Sequence, residues 1–409
     1  MSDLIKLDLG EGWQQNRNNG ELTKPTKLPI GILSKYCQSI PNLRFNQLTK
    51  KVEINSKPID SSDIEYLYVD IEESGWEIGK IAARDTFVRA AKKNQYHPIK
   101  EYLEYIEKSD IKAINPDKLA TKYLGTSNDL YDAMLKATLL GSVKRIFENG
   151  CQFDYVCILK GQQGIKKSSF WRILSGGYFN SSMPTGEGKD LLQQIGSSWF
   201  FALEELDSVT KSFMSGKLKN LITTREDNYR PPYGSSPDSF PRSSIFVGTT
   251  NSDVFLCDET GSRRFWTINL PQNYSQKCET LPIELLERER DGIFKGIMQC
   301  YRQKQKPMLP KEFERLSILE NTKYKDDHPF KFQALEKIKE KVREGKFNKS
   351  FSSREIFEET SLRLAKDVSK EDLRQMGIVL KELGCISAKR EKGERKWKIP
   401  SDWSLNSVQ

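Results

Sequence analysis

Lys167 and Ser168 are the residues whose types and setting point most directly to chemistry. They close the run Lys160-Gly161-Gln162-Gln163-Gly164-Ile165-Lys166-Lys167-Ser168-Ser169-Phe170. Gly161 to Ser168 has the spacing G-x-x-x-x-G-K-[ST] of a phosphate-binding loop, with lysine at 166 in place of the second glycine. In such a loop the backbone from Gly161 through Gln162, Gln163, Gly164, Ile165 and Lys166 to Ser169 cradles phosphate oxygens. Lys167 would contact the β- and γ-phosphates of ATP, and Ser168 would ligate Mg²⁺. Glycine tolerates unusual dihedrals and close approach, so lysine fits at 166 only if φ there stays negative. Taken alone, the run is equally well an ordinary strand–loop–helix turn carrying solvated charge.

Four further residue sets could complete such a site. Glu204 and Glu205 follow the apolar run Trp199–Leu203, where a Mg²⁺-nucleotide site needs acid to hold the metal's water shell and polarise an attacking water. The competing reading is a solvated acidic pair at a helix start. Asn251 ends the run Ser244–Thr250, and an amide at a strand tip can orient water or sense a γ-phosphate, although Asn there is more often a turn residue. Arg263 and Arg264 precede the run Phe265–Ile268; arginine suits transferring phosphoryl charge, often from a neighbouring subunit, and a surface charge pair is the plainer alternative. The stretch 217–242 interleaves Lys217, Lys219, Arg225, Arg230 and Arg242 with Tyr229 and Tyr233, a mixture suited to single-stranded nucleic acid and also found in ordinary surface loops.

The elements that must position these residues are legible in outline. Continuous apolar runs at Tyr155–Leu159, Trp199–Leu203, Ser244–Thr250 and Arg264–Ile268, separated by helical patterns, predict buried strands of an α/β sheet. Asp129–Phe147 reads as a long helix, with Leu130, Met134, Ala137, Leu140 and Val143 at helical spacing. Upstream, 44–48 and 51–54 read as a small hairpin, 85–93 as a helix, and His97-Pro98 as the break before a helix at 99–106. Downstream, Ser352-Ser353-Arg354-Glu355 is a capping-box pattern, and a second helix starting near Ser369 closes at Gly384. A basic hairpin containing Lys389 and Arg390 follows, with its turn at 391–394. Helix, helix, basic hairpin is a winged-helix order; a small helical domain with solvated charge is the alternative. The domain layout predicted is a poorly ordered leader at 1–27, an α+β region at 28–125, an ATPase core at 126–325 and a basic winged-helix-like domain at 330–409.

Composition narrows the class. The net charge is +9, and 330–409 contributes 19 Lys+Arg against 13 Asp+Glu, so two-thirds of the excess lies in the last fifth of the chain, where a nucleic-acid contact would use it. No apolar run approaches the ~18 residues of a membrane span, and the first residues lack a signal-peptide pattern, so a cytoplasmic protein without membrane contact is expected. Seven scattered cysteines without C-x-x-C and only two histidines argue for free thiols and against a zinc site.

In their order these motifs resemble the virulence-associated protein E family, P-loop ATPases of phages, plasmids and genomic islands related to superfamily 3 helicases. The likeness covers about 40–270. It is carried by Gly161–Phe170, Glu205-Leu206-Asp207, Lys219–Thr223 with Asp227–Tyr233, Gly248-Thr249-Thr250-Asn251 and Thr260-Gly261-Ser262-Arg263-Arg264-Phe265-Trp266, with His97–Leu103 upstream. The resemblance implies a P-loop core of AAA+ type, Asn251 as polar sensor, Arg263 or Arg264 as a trans-acting finger, and homo-oligomeric, possibly hexameric, rings. Lys166 and Ala202 depart from it, where many members carry glycine and a further acid, and both bear on turnover more than on nucleotide binding. Many relatives carry a primase domain; the stretch before residue 28 leaves no room for one, so priming is not expected. The leading expectation is a Mg²⁺-ATP-dependent motor on single-stranded or forked DNA. The alternatives are a nucleotide-gated DNA-binding module with weak turnover and, third, a phosphoryl-transfer enzyme acting on a small substrate.

Overall fold

The apolar runs become neighbouring strands of one sheet. A computed structural model describes residues 26–181, 189–204, 215–231, 233–234, 236–252, 255–256, 262–271, 280–324, 331–359, 370–391 and 394–403. The central sheet holds β1 (Val156–Lys160), β2 (Phe179–Asn180), β3 (Phe200–Leu203), β4 (Ile245–Thr250) and β5 (Phe265–Asn269), ordered β5-β1-β4-β3-β2. Every pairing is parallel. The two faces explain the unbroken apolar runs. Cys157 and Leu159 of β1 enter one buried cluster, and Val156 and Ile158 enter another on the opposite face. A parallel sheet covered on both sides needs apolar residues at every position, not at alternate ones. The edge strand β2 escaped the sequence pattern because it has only two residues.

Three of the described helices cover the face of the sheet that carries Cys157 and Leu159. The predicted long helix α1 spans Asp129–Phe147, starts on the Asn128 side chain, which accepts from Leu130 N–H, and is buried along most of its length. α2 (Lys167–Ser175) follows the loop after β1, and its Trp171 indole donates to the Gly248 carbonyl of β4 at 3.2 Å. α3 (Ile283–Arg302) packs close to the chain at 112–116.

Upstream of the sheet a smaller cluster runs from Leu28 to Ala91 under a four-stranded sheet. The predicted hairpin is there, as Leu43–Asn46 paired antiparallel with Val52–Ile54. The helix expected at 85–93 begins earlier, at Lys80, and the one expected at 99–106 runs Pro98–Lys108 with His97 as its cap. The expected boundary near 125 is not a break in packing, because Ile99, Leu103, Ile106 and Leu119 already belong to the cluster against the main sheet. Of the expected leader, 1–25 lie outside the described residues, and Thr26–Lys27 pairs in parallel with Trp76–Glu77. Cys37, Cys151, Cys157, Cys300 and Cys385 are free thiols.

The chain divides into two compact units, Met1–Tyr324 and Lys325–Gln409. The second holds helices Lys331–Arg343, Ser353–Glu359 and Lys370–Glu382 and an antiparallel three-stranded sheet of Phe351–Ser352, Glu394–Lys398 and Ile386–Glu391. Ile338, Phe357, Leu380 and Trp397 centre its core. The capping box forms as read: Glu355 N–H donates to Ser352 Oγ at 3.2 Å, and Ser352 Oγ donates to Glu355 Oε1 at 3.3 Å. Gly384 closes its helix with φ 79°.

Candidate functional site

The loop after β1 is held from both sides. Gly161 N–H donates to the Thr250 carbonyl at 3.2 Å, and Leu281 N–H donates to the carbonyl of buried Ile165 at 3.3 Å. A Cβ on Gly161 would meet Ile165 Cδ1 at 3.0 Å and Leu270 Cβ at 3.1 Å, so this glycine is there for closeness. Gly164 is there for conformation, with φ 87° and open space around it. Lys166 has φ 66° and ψ 33° at the cap of α2, which corrects the condition that φ stay negative at that position. The backbone adopts the left-handed turn that glycine normally supplies, and lysine bears the steric cost. Left-handed residues alternating with right-handed ones turn successive N–H groups to one side, the geometry of an anion nest at a helix N-terminus.

Lys167 is the hub. It is 7% exposed, and its ammonium donates to the Gly161 carbonyl at 2.7 Å, the Gln162 carbonyl at 2.6 Å and Asn251 Oδ1 at 2.5 Å. All three acceptors are neutral. Burial, with no countercharge on it among the described residues, pushes the ammonium's pKa down to about 8. Among the described residues this buried cation is held by dipoles alone, so its charge is uncompensated.

A cavity of about 520 Å³ opens over this lysine. The loop contributes Gln163, Gly164 and Lys166–Ser169 to its wall, β3 contributes Glu204 at its carboxyl end, and β4 contributes Thr249–Ser252. Ligands of open parallel sheets bind in this position, outside the carboxyl ends of the strands, and the volume falls in the ~300–1,000 Å³ range of small-molecule pockets. The structure thus brings Lys167, Ser168, Glu204 and Asn251 together across three adjacent strands. Glu205 lies outside the described residues. Ala202 is fully buried in β3, on the face it shares with Phe200 against Trp171, so a carboxylate at 202 would point into the core and not into the cavity. Thr249, Thr250 and Ser252 also line the cavity; the motif Gly248–Asn251 does not assign them a role, because a hydroxyl's direction depends on strand register.

Arg263 and Arg264 are elsewhere. They sit in the turn Ser262–Arg264 ahead of β5, next to Tyr155 at the start of β1. Phe265 pairs with Val156 and Asn269 with Lys160, so the length of β5, about 16 Å, separates these arginines from the loop. They do not meet the cavity of their own chain.

The basic stretch divides. Glu226–Tyr229 and Asp238–Pro241 form an antiparallel hairpin. Arg242 is 1% exposed and grips Asp227 through Nε at 2.8 Å and through Nη2, while Nη1 donates to the Leu221 carbonyl. Tyr229 is also buried, its ring 4.7 Å from Phe240. Neither offers a surface for a base to stack on, which corrects that expectation for both. Arg225 is exposed and donates to Gln152 Oε1 at 2.6 Å; Lys219 is half-buried; Arg230 is exposed; Tyr233 is half-buried against the Leu28–Ala91 cluster. The side chains of Lys217, Lys389 and Arg390 lie outside the described residues. Also among the described residues, no helix is long and apolar enough to cross a membrane.

No curated protein sequence matches the chain. Among solved structures, it is similar to the apo structure of the NrS-1 C-terminal region (305–718), with TM-score 0.47 and 11% identity over 88% of this chain and 96% of that one. It is also similar to the A form of the same region, with TM-score 0.45 and 12% identity over 87% and 96%. Identities this low transfer no activity. The virulence-associated protein E-like domain matches residues 103–326, more than half of the chain and the whole of the sheet that carries the cavity. The chain belongs to the virulence-associated protein E-like family.

Proposed function

We propose that the chain is a Mg²⁺-ATP-dependent DNA motor of the superfamily 3 helicase type, serving replication of a mobile element. One observation carries the reading. A buried lysine with no countercharge on it among the described residues, Lys167, shares a cavity with Ser168, Glu204 and Asn251 at the carboxyl ends of adjacent parallel strands. The strand order β5-β1-β4-β3-β2, with the loop after β1 and the acid after β3, supports a P-loop core of AAA+ type. The second unit's order of helix, strand, helix, helix, strand, strand supports a winged helix.

Within this reading Lys167 exchanges its carbonyl and amide partners for phosphate oxygens. Asn251, released, orients water or reports the γ-phosphate. Ser168 and Glu204, which line one cavity, would hold a divalent ion through a hydroxyl and a carboxylate, with Glu205 the next residue in the chain; when bound, Mg²⁺ would supply charge neutralisation on the phosphates. Arg263 and Arg264, too far from their own cavity, serve that of a neighbouring subunit, which supports a ring of homo-oligomers. DNA-stimulated ATP hydrolysis by wild type and Lys167→Ala tests the proposal. A large stimulated rate is expected in the first and none in the second, and equal rates would sink it.

One observation favours a second reading, a nucleotide-gated DNA-binding module with little turnover: Lys166 is held left-handed in the loop itself. Tight nucleotide binding without turnover, even on DNA, would select it.

A further inference from the structure

A second concavity, of about 690 Å³, lies away from the nucleotide cavity, where the turn of the 226–241 hairpin meets the N-terminal helices. One wall is the helix Lys80–Lys93, which contributes Arg84, Asp85, Arg89 and Lys92; the other is the turn with Arg230 and Tyr233. Tyr233 fixes the turn in place: it has φ 63°, packs against the N-terminal cluster and lies with its hydroxyl 3.4 Å from Ser61 Oγ.

The charges of this groove do not cancel. Asp85 is paired with Arg84 at 2.8 Å, and Glu65 with Lys80 at 2.6 Å. Both carboxylates are therefore spent internally, which leaves Arg89, Lys92 and Arg230 in surplus. All three are exposed. Among the described residues Arg89 has no hydrogen bond or ion pair, Lys92 has only the face of Phe45, and Arg230 uses Nε alone, on the Gly234 carbonyl. The positive field extends behind them. Half-buried Lys50 is held below the ordinary lysine range first by desolvation and then by Lys92. A polar concavity with three uncommitted cations suits oxyanions.

We propose that this groove is a phosphate-backbone site for a single nucleic-acid strand, with Arg89, Lys92 and Arg230 each meeting a phosphate. A sphere of this volume is roughly 11 Å across, a span that one sugar-phosphate strand fills. The site would couple the N-terminal region to the hairpin, because its cations come from both. It takes from the proposed function only the choice of DNA as ligand and is independent of nucleotide.

The test is fluorescence anisotropy of a labelled oligothymidine with the full chain, without nucleotide, across 50–300 mM salt. The triple variant Arg89→Gln/Lys92→Gln/Arg230→Gln is expected to bind about ten- to a hundredfold more weakly near 0.1 M salt, with a salt slope shallower by about 2, at ~0.7 per lost phosphate contact. Arg89→Gln alone should lower the slope by about 0.7, which keeps the test open if the triple variant fails to fold. Arg89→Lys/Arg230→Lys should retain the slope. Unchanged affinity and slope in the neutralised variants would overturn the site, as would displacement of polyglutamate but not oligothymidine by the same substitutions. Lys167→Ala, expected to bind the oligonucleotide like wild type while losing nucleotide, separates this result from a failure of the ATPase reading.

Discussion

Replacing Lys166 with glycine should stabilise the protein while weakening its hold on nucleotide. At φ 66° and ψ 33° a side chain with a Cβ costs about 1–2 kcal/mol relative to glycine. Glycine returns about 0.4–1 kcal/mol of that through greater freedom in the unfolded chain. The net gain is about 0–1.5 kcal/mol, or a rise of roughly 0–2 °C in Tm for a unit of this size. Lys166→Ala is the control, since it removes the ammonium and keeps the strained backbone, so it should melt with wild type. Both variants lose a cation from the cavity wall. Lys166 is exposed, so its charge is worth about 1 kcal/mol to a bound phosphate, about a fivefold rise in Kd. Scanning calorimetry gives the first quantity and titration with a fluorescent ATP analogue the second. A glycine variant that melts below the alanine variant would refute the strain argument. An alanine variant that binds nucleotide as wild type does would refute the charge argument.

Nucleotide binding should take up a proton above pH 8. The Lys167 ammonium titrates at about 8 while it faces only neutral acceptors, against its ordinary 10.5, and bound phosphates favour its charged form. Below pH 8 the proton is already present, so affinity is flat; from pH 8 upwards affinity falls by up to tenfold per pH unit, as calorimetry in buffers of different ionisation enthalpy would show. Arg242→Ala should cost about 3–5 kcal/mol, because it leaves buried Asp227 uncompensated, whereas the double change Asp227→Leu/Arg242→Met should recover most of that in urea denaturation. Gly296→Ala should destabilise the first unit by about 1–3 kcal/mol, because its Cβ would fall 2.1 Å from the Ile114 carbonyl oxygen; chemical denaturation measures it, and an unchanged midpoint would mean that α3 shifts freely.

Much of the site was legible because its residues are adjacent in sequence or end an apolar run. The loop's spacing, the acid after β3 and the amide after β4 all survive into one cavity. The condition on Lys166 failed for an instructive reason. Backbone sign is set by the turn that joins β1 to α2, and a favourable glycine spacing carries that turn even where the residue is not glycine. Arg242 and Tyr229 failed for another. In a basic-aromatic stretch the sequence does not show which cations face inward, and Arg242 was claimed by Asp227, 15 positions away in the chain.

By itself the sequence determined the run of buried strands, the long helix α1, the phosphate-loop spacing, the capping box at Ser352 and the family to which the chain belongs. Each is a local pattern or an ordered string of such patterns, and local sterics and hydrogen bonding suffice to write it. The order β5-β1-β4-β3-β2, the contact of Lys167 with Asn251 at 84 positions' separation, the distance of Arg263 and Arg264 from the cavity, and the charged groove between helix and hairpin were decided only in three dimensions. Strand neighbours are chosen by how the helices cover both faces of the sheet, and that choice brings distant residues together without leaving a periodic trace in the chain.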